Sequence, residues 1–177
     1  MKLTLYDITV GPYSYGKSWF ANILHGRHDG FKPGAEVEGC TPGVYMWSPP
    51  FKITSKQPDG KTIQKRVIVL DSKETDDLKH GQNWATKLFI LCLAISSTFI
   101  YNINGVVGSR DVGKLHLMSD LSDFFQAPKD GDFLPRLVIL LRDFNLNTPK
   151  SFRDYFLKQL KDVDLEGEQQ TRNLSSS

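Results

Sequence analysis

The chain has 177 residues, 40% of them hydrophobic and 24% charged, with a net charge of +2, an ordinary globular composition with enough length for one well-packed domain. A balance this close to neutral gives no argument for nucleic acid or an anionic membrane as a partner. Two cysteines, Cys40 and Cys92, are too few for a disulfide framework, and nothing resembles a secretory leader, so a reducing, cytoplasmic setting is expected.

Lys2 to Val10 is rich in β-formers and runs without Pro or Gly into Gly11, which predicts a first strand. Lys17 to Gly26 is predicted as a helix. Gly30 to Gly43 carries four glycines and Pro33, which predicts a long loop. Val44 to Thr54 and Thr62 to Asp71 are strand-like, and Pro58-Asp59-Gly60 between them is a turn signal, so the two are expected to form an antiparallel hairpin. Val67-Ile68-Val69-Leu70 is a continuous apolar run, the pattern of a strand covered on both faces.

Asn83 to Leu93 predicts a helix and Ser97 to Tyr101 the next buried strand. Together they raise the question of a membrane span over Leu88 to Ile103. That stretch is shorter than the roughly 20 apolar residues a spanning helix needs. It also contains Ser96, Ser97, Thr98 and Asn102, so no transmembrane segment is expected. Val112 to Phe125 places Leu115, Met118, Leu121, Phe124 and Phe125 at helical spacing. Arg136 to Leu141 is a further apolar strand. Ser151 to Leu160 is an amphipathic helix with Phe152, Tyr155, Phe156 and Leu160 on one side, and Pro149 stands just before it. From Asp162 the chain is polar and ends Ser175-Ser176-Ser177, so residues 162–177 are expected to form a flexible tail without a prenylation box.

This order of strands and helices predicts an α/β fold of three layers. Its sheet is mainly parallel, with one antiparallel hairpin strand and helices on both faces. Ligands of such folds bind at the carboxyl ends of the strands.

Gly11-Pro12-Tyr13-Ser14-Tyr15-Gly16-Lys17-Ser18 fits G-x-x-x-x-G-K-[ST] at every fixed position, between a predicted strand and a predicted helix. The spacing has a physical reason. The glycines let the backbone turn tightly, so that successive N–H groups face one anion, and the helix that follows adds the partial positive charge of its first turn. Lys17 is placed to set an ammonium against the β- and γ-phosphates, and Ser18 to offer a hydroxyl to Mg²⁺. The second phosphate-side group expected of such a site is an acid, Asp71, at the end of the buried strand from Val67, holding Mg²⁺ through water. The loop alone does not choose between adenine and guanine nucleotides.

The remaining candidates are bland. His25, His28, His80 and His116 share no metal-ligand spacing, and His25 and His28 are expected at the surface of a helix end. Cys40 reads as a small loop residue, and Tyr13 and Tyr15 as packing residues beside the phosphates.

The phosphate loop, the run Gly34 to Trp47 (GAEVEGCTPGVYMW), the strand Ser96 to Asn102 (SSTFIYN) and Leu141-Arg142-Asp143-Phe144 together resemble the guanylate-binding protein and atlastin group of dynamin-superfamily large GTPases. The resemblance covers most of residues 3–160. It implies a P-loop NTPase fold and a GTP-binding (G) domain over residues 1–161 that is incomplete at its C-terminal end relative to the family. The missing edge strand is expected to leave apolar surface open. It implies that Gly11, Tyr13, Ser14, Tyr15, Gly16, Lys17, Ser18 and Trp19 surround GTP or GDP, with Lys17, Ser18 and Thr41 catalytic. Ser18, Thr41 and Asp71 hold Mg²⁺ in that scheme, Thr41 also sensing the γ-phosphate. Asp143 matches the carboxylate that accepts from guanine N1–H and the exocyclic amine, a donor pair adenine lacks. Arg142 offers its guanidinium plane for stacking beside the base. The implied partners are GTP or GDP and a second copy in a nucleotide-dependent homodimer formed through the G domain, with no nucleic acid. Peripheral membrane association is implied by the family alone.

The sequence departs from that pattern at several hydrolytic positions. Ser14 stands where the family usually carries an arginine finger, a group worth roughly 10³ to 10⁵ in rate. Asp71-Ser72-Lys73-Glu74 replaces an Asp-x-Glu-Gly second switch, so a lysine takes the place of the acid and a carboxylate that of the glycine beside the γ-phosphate. Gly39 stands where a serine is usual. Two functions are therefore carried forward: a GTPase that hydrolyses slowly, and a non-catalytic GTP-binding module that controls assembly. A P-loop ATPase or kinase is a weaker third, since Asp143 is expected to reject adenine.

Overall fold

The computed structural model describes residues 3–11, 16–31, 43–73, 82–124, 134–147 and 149–161. In chain order they form β1 (Leu3–Val10), α1 (Lys17–His25), β2 (Gly43–Met46), β3 (Phe51–Lys56), β4 (Thr62–Lys73), α2 (Gln82–Ile95), β5 (Thr98–Asn104), α3 (Ser109–Phe124) and β6 (Arg136–Arg142), followed by a helix α4 over 152–161. Residues 12–15, 32–42 and the tail from 162 lie outside the described residues.

The sheet runs β2-β4-β1-β5-β6, with β3 also on β4. β1 lies parallel to both β4 and β5, while β2 and β3 are antiparallel to β4. This is the α/β, mainly parallel arrangement expected of a P-loop fold. It carries β1 in the interior of the sheet, where a strand with no Pro or Gly keeps its ladder intact.

The expected hairpin forms, but its first strand is divided. Met46 pairs with Leu70 and Phe51 with Val67, so the segment 47–50 stands opposite only Ile68 and Val69. Pro49 and Pro50 have no N–H to give a ladder, and the strand bulges at them before β3 resumes. At the turn, the Gly60 N–H donates to the Gln57 carbonyl at 2.9 Å and the Lys61 N–H to Asp59 Oδ1 at 3.0 Å, the turn chemistry that Pro58-Asp59-Gly60 predicts.

The chain divides into two compact units, Met1–Asn102 with Asp130–Leu140, and Ile103–Lys129 with Leu141–Ser177. In the first, Ile8 and Val10 of β1, Val67, Val69 and Leu70 of β4, and Phe99, Ile100 and Tyr101 of β5 are buried together with Leu88, Phe89, Cys92 and Leu93 of α2. The α2 residues recur at three- and four-residue spacing, one stripe of a helix laid on a sheet. Phe89 meets Phe99 and Tyr101 edge-on at 5.2 and 6.2 Å. Each such side chain contributes about 1.5–3 kcal/mol of apolar burial. The apolar stretch at 88–103 is thus the end of α2 running into β5, as expected, and among the described residues no helix is long and apolar enough to cross a membrane. Burial pushes the Cys92 thiol up to about 12, which keeps it protonated and inert.

One expectation fails at the end of α1. His25 is not a free surface group. Its ring packs edge-on against Trp47 and Phe51, both at 5.5 Å, and its two ring nitrogens are buried without a hydrogen-bond partner. The residues that surround it come from the β2–β3 connection and β3, which the local spacing of α1 does not reveal. His28 is exposed as expected.

In the second unit Ile103, Val107 and Val112 are buried. α3 begins with Asp111 Oδ2 accepting from the Gly108 N–H at 2.9 Å. α4 begins with Ser151 Oγ accepting from the Asp154 N–H at 3.2 Å, an N-terminal cap that supplies one of the partners the first turn of a helix lacks.

Candidate functional site

The site grows from the junction of β1 and α1. β1 delivers the chain to Gly11 in the sheet interior, where Gly11 is buried against the backbone of Asn102 at the adjacent β5. A Cβ on Gly11 would collide with the Asn102 carbonyl, so only glycine allows this close approach. The loop 12–15 follows, with Tyr13, Ser14 and Tyr15 outside the described residues. Gly16 re-enters in the left-handed region with φ 67° and caps α1 without a side-chain hydrogen bond. No acidic residue occupies the first turn, so nothing within that turn competes for an anion at the amide end of the helix.

Lys17, the first residue of α1, is buried with 6% of its surface exposed. A cation so nearly removed from water is held only where negative charge or polar groups compensate it. Trp19 lies on the outer side of α1, about half exposed.

Ser18 and Asp71 meet. The Ser18 hydroxyl donates to Asp71 Oδ2 at 2.6 Å across 53 positions of sequence. Asp71 itself is fully buried. It reaches this place because β4 runs parallel to β1 with Thr9 opposite Asp71, so the carboxyl end of β4 stands beside the start of α1. The next residue secures the alignment: Ser72 Oγ donates to the Thr9 carbonyl at 2.8 Å, buried. A hydroxyl and a carboxylate side by side are hard oxygen donors of the kind Mg²⁺ takes, one or two from protein with water and phosphate completing the shell. The two described members of the expected metal set therefore fit that ion; the third, Thr41, lies outside the described residues.

Around this pair, a residue that the sequence reading passed over organises the end of α1. Asn22 is one turn beyond Ser18 and 4% exposed. Its Nδ2 donates to the Phe31 carbonyl at 2.8 Å, and its Oδ1 accepts from the Phe31 N–H at 2.6 Å. Phe31 packs with Ala21 and Val69. Past residues 32–42 the described chain resumes at Gly43, opposite Lys73, with Tyr45 opposite Asp71. Phe31 and Gly43, the described residues on either side of 32–42, are thus held to α1 and β4, the same two elements that carry Ser18 and Asp71. Nothing in the local spacing of α1 marks Asn22 for this role, since the buried residues of the helix also include Lys17 and Ala21. Lys73 closes β4, and Glu74 lies outside the described residues.

Arg142 and Asp143 belong to the second unit. Arg142 ends β6, and its carbonyl accepts from the Gly105 N–H at 2.6 Å. Asp143 follows with φ 52°, the one non-glycine residue with positive φ among those described, and is exposed. Left-handed backbone is uncommon outside glycine, and Asp is one of the few residues that tolerate it.

Asp7 is a polar group on β1 that the sequence reading did not single out. One oxygen, Oδ1, is buried without a hydrogen-bond partner. Burial pushes the Asp7 carboxyl up, opposed in part by a hydrogen bond with Thr98 and the charge of Arg136. Among the described residues no group of three or more His, Cys, Asp or Glu is placed to hold a metal ion.

The model of the guanylate-binding protein N-terminal domain matches residues 6–176. Guanylate-binding protein 2 of Homo sapiens is 31% identical over 173 residues, covering 86% of this chain and 27% of its own. Guanylate-binding protein 5 of Mus musculus is 32% identical over 151 residues, 78% of this chain and 24% of its own. Guanylate-binding protein 2 of Rattus norvegicus is 29% identical over 179 residues, 88% of this chain and 28% of its own. The chain spans about a quarter of the length of these relatives.

Proposed function

Because the chain belongs to the guanylate-binding protein family, we propose that residues 1–161 form a guanine-nucleotide-binding domain that takes up GTP or GDP with Mg²⁺ and hydrolyses GTP slowly. The observation that carries this reading is the 2.6 Å hydrogen bond from Ser18 to Asp71. It joins the residue that ends the phosphate loop to the acid that such a site requires, from separate elements of the sheet.

In this reading the backbone amides of Gly11 to Ser18 and the Lys17 ammonium bind the phosphates. Ser18, Thr41 and Asp71 hold Mg²⁺, which when bound neutralises phosphate charge. Tyr13, Ser14, Tyr15 and Trp19 surround the nucleotide. Asp143 accepts from the guanine edge and Arg142 lies beside the base. Ser14 supplies no cation in place of an arginine finger, and Lys73 and Glu74 replace the second-switch acid and glycine, so hydrolysis is slow. The same reading extends to a nucleotide-dependent homodimer and a cytoplasmic setting, with residues 162–177 as a tail.

A second reading is favoured by those same replacements: a GTP-binding module without useful turnover whose occupancy controls assembly. Phosphate release from GTP by the purified chain, beside a Lys17→Ala control, separates them. Slow release abolished in Lys17→Ala supports the enzyme. Binding without release supports the module. Turnover at or above about 1 s⁻¹, ordinary for a competent enzyme, contradicts the impaired site.

A further inference from the structure

Asp143 stands between two residues that are each tied down, and the ties close on one another. On one side the Arg142 carbonyl accepts from the Gly105 N–H at 2.6 Å. On the other, the Phe144 ring packs edge-on against Tyr155 and Phe152 of α4 at 5.6 and 5.8 Å. Tyr155 then reaches back: its hydroxyl oxygen accepts from the Val107 N–H at 3.2 Å. Val107 is buried and lies two residues after Gly105. The path from Arg142 to Gly105, through Val107 to Tyr155 and on to Phe144 is a closed loop, and Asp143 is the single residue that bridges its ends.

We propose that Tyr155 is a positioning residue for guanine selection: the Val107–Tyr155–Phe144 clasp fixes the left-handed turn that presents the Asp143 carboxylate. The inference rests on the reading of Asp143 as the guanine acceptor. Left-handed backbone is uncommon even for aspartate and is held here by its two neighbours. Here the carboxylate is exposed while its two neighbours are held, so the clasp fixes the backbone and leaves the side chain to the ligand. A carboxylate that must meet two donors on one base edge loses much of its discrimination when its backbone is free to swing. Loosening the clasp therefore reduces base selection and spares the phosphate grip of Lys17 and Ser18.

Tyr155→Phe removes the hydroxyl and keeps the ring against Phe144. Phe144→Leu removes the ring contact and serves as the second variant. For each, competition of labelled GTP by GTP, ITP and ATP is measured alongside thermal unfolding. ITP retains N1–H but lacks the exocyclic amine, so the GTP-to-ITP ratio reports on two-point recognition. The ratio is expected to fall by roughly tenfold in both folded variants, while ATP competes about as well as against the parent. Equal losses for all three nucleotides, or an unchanged ratio in a folded variant, would overturn the positioning role. A parent chain that binds GTP, ITP and ATP alike would overturn the guanine reading itself and the inference with it.

Discussion

Ser18 and Asp71 are joined by a 2.6 Å hydrogen bond from hydroxyl to carboxylate, which couples the first turn of α1 to the carboxyl end of β4. A hydrogen bond to a charged acceptor contributes about 1.5–3 kcal/mol. Ser18→Ala is therefore expected to lower unfolding free energy by that order in the nucleotide-free chain. In nucleotide titrations it is expected to erase the gain in GTP affinity on adding Mg²⁺. Denaturant melts and titrations with and without Mg²⁺ check the two halves separately.

Gly11→Ala would drive a methyl into the Asn102 carbonyl, which is backbone of the neighbouring strand and has little room to yield. Overpacking of this kind costs about 1–3 kcal/mol. The substitution is expected to lower the melting temperature and, if residues 11–18 bind phosphate as proposed, also to weaken nucleotide binding, since β1 and β5 must separate where that segment begins. A variant with parental stability and affinity would show that the strands part at little cost.

Asn22 makes both its hydrogen bonds to one residue, Phe31. Asn22→Ala leaves a buried N–H and a buried carbonyl without these partners, a cost of about 2 kcal/mol or more. Gly30→Ala is expected to disturb the same contact from the other side, because its Cβ would stand 2.5 Å from Asn22 Oδ1. Chemical denaturation of the two single variants and the double variant tests the coupling. Their losses are expected to be less than additive, as they break one shared feature.

Asp7 gives a pH dependence whose sign is fixed by the direction of its shift. Its folded-state value lies above the ordinary 3.8 because of burial. As pH rises above 3.8 the unfolded chain releases this proton first, so the folded state binds more protons and stability falls. Once the folded-state value is passed, the penalty stays constant. Asp7→Asn is expected to be more stable than the parent at neutral pH, with the difference vanishing toward the acid side of 3.8. Thermal melts of both proteins across pH 3 to 8 test this, the range being set by ordinary carboxylate titration, on the order of pH 4.

Much of this was legible in the sequence because it is local. Val67 to Leu70 declares a strand covered on both faces, Pro58-Asp59-Gly60 a turn, and Gly11 to Ser18 a passage from strand to helix, each from spacing alone. The logic of the loop asks for an acid near Ser18, and the parallel register of β4 on β1 brings Asp71 there. What was not legible depends on partners distant in the chain. His25 reads as a surface residue until Trp47 and Phe51 fold over it. Asn22 reads as an ordinary helix residue until Phe31 returns to it. The division of the hairpin strand at Pro49 and Pro50 follows from missing donors, but its size depends on where β3 regains register with β4. The clasp around Asp143 joins residues 105, 107, 144 and 155, which no periodicity connects.

In the proposed function residues 11–18 hold a triphosphate and Asp143 selects guanine. Calorimetric titration of the purified chain with GTP and then ATP, Mg²⁺ present, tests it most directly. Saturable GTP binding is expected below about 1 mM, the upper end of ordinary enzyme KM values, and ATP binding weaker by about a hundredfold or more. No uptake of GTP at that concentration, or equal affinity for ATP, would contradict it.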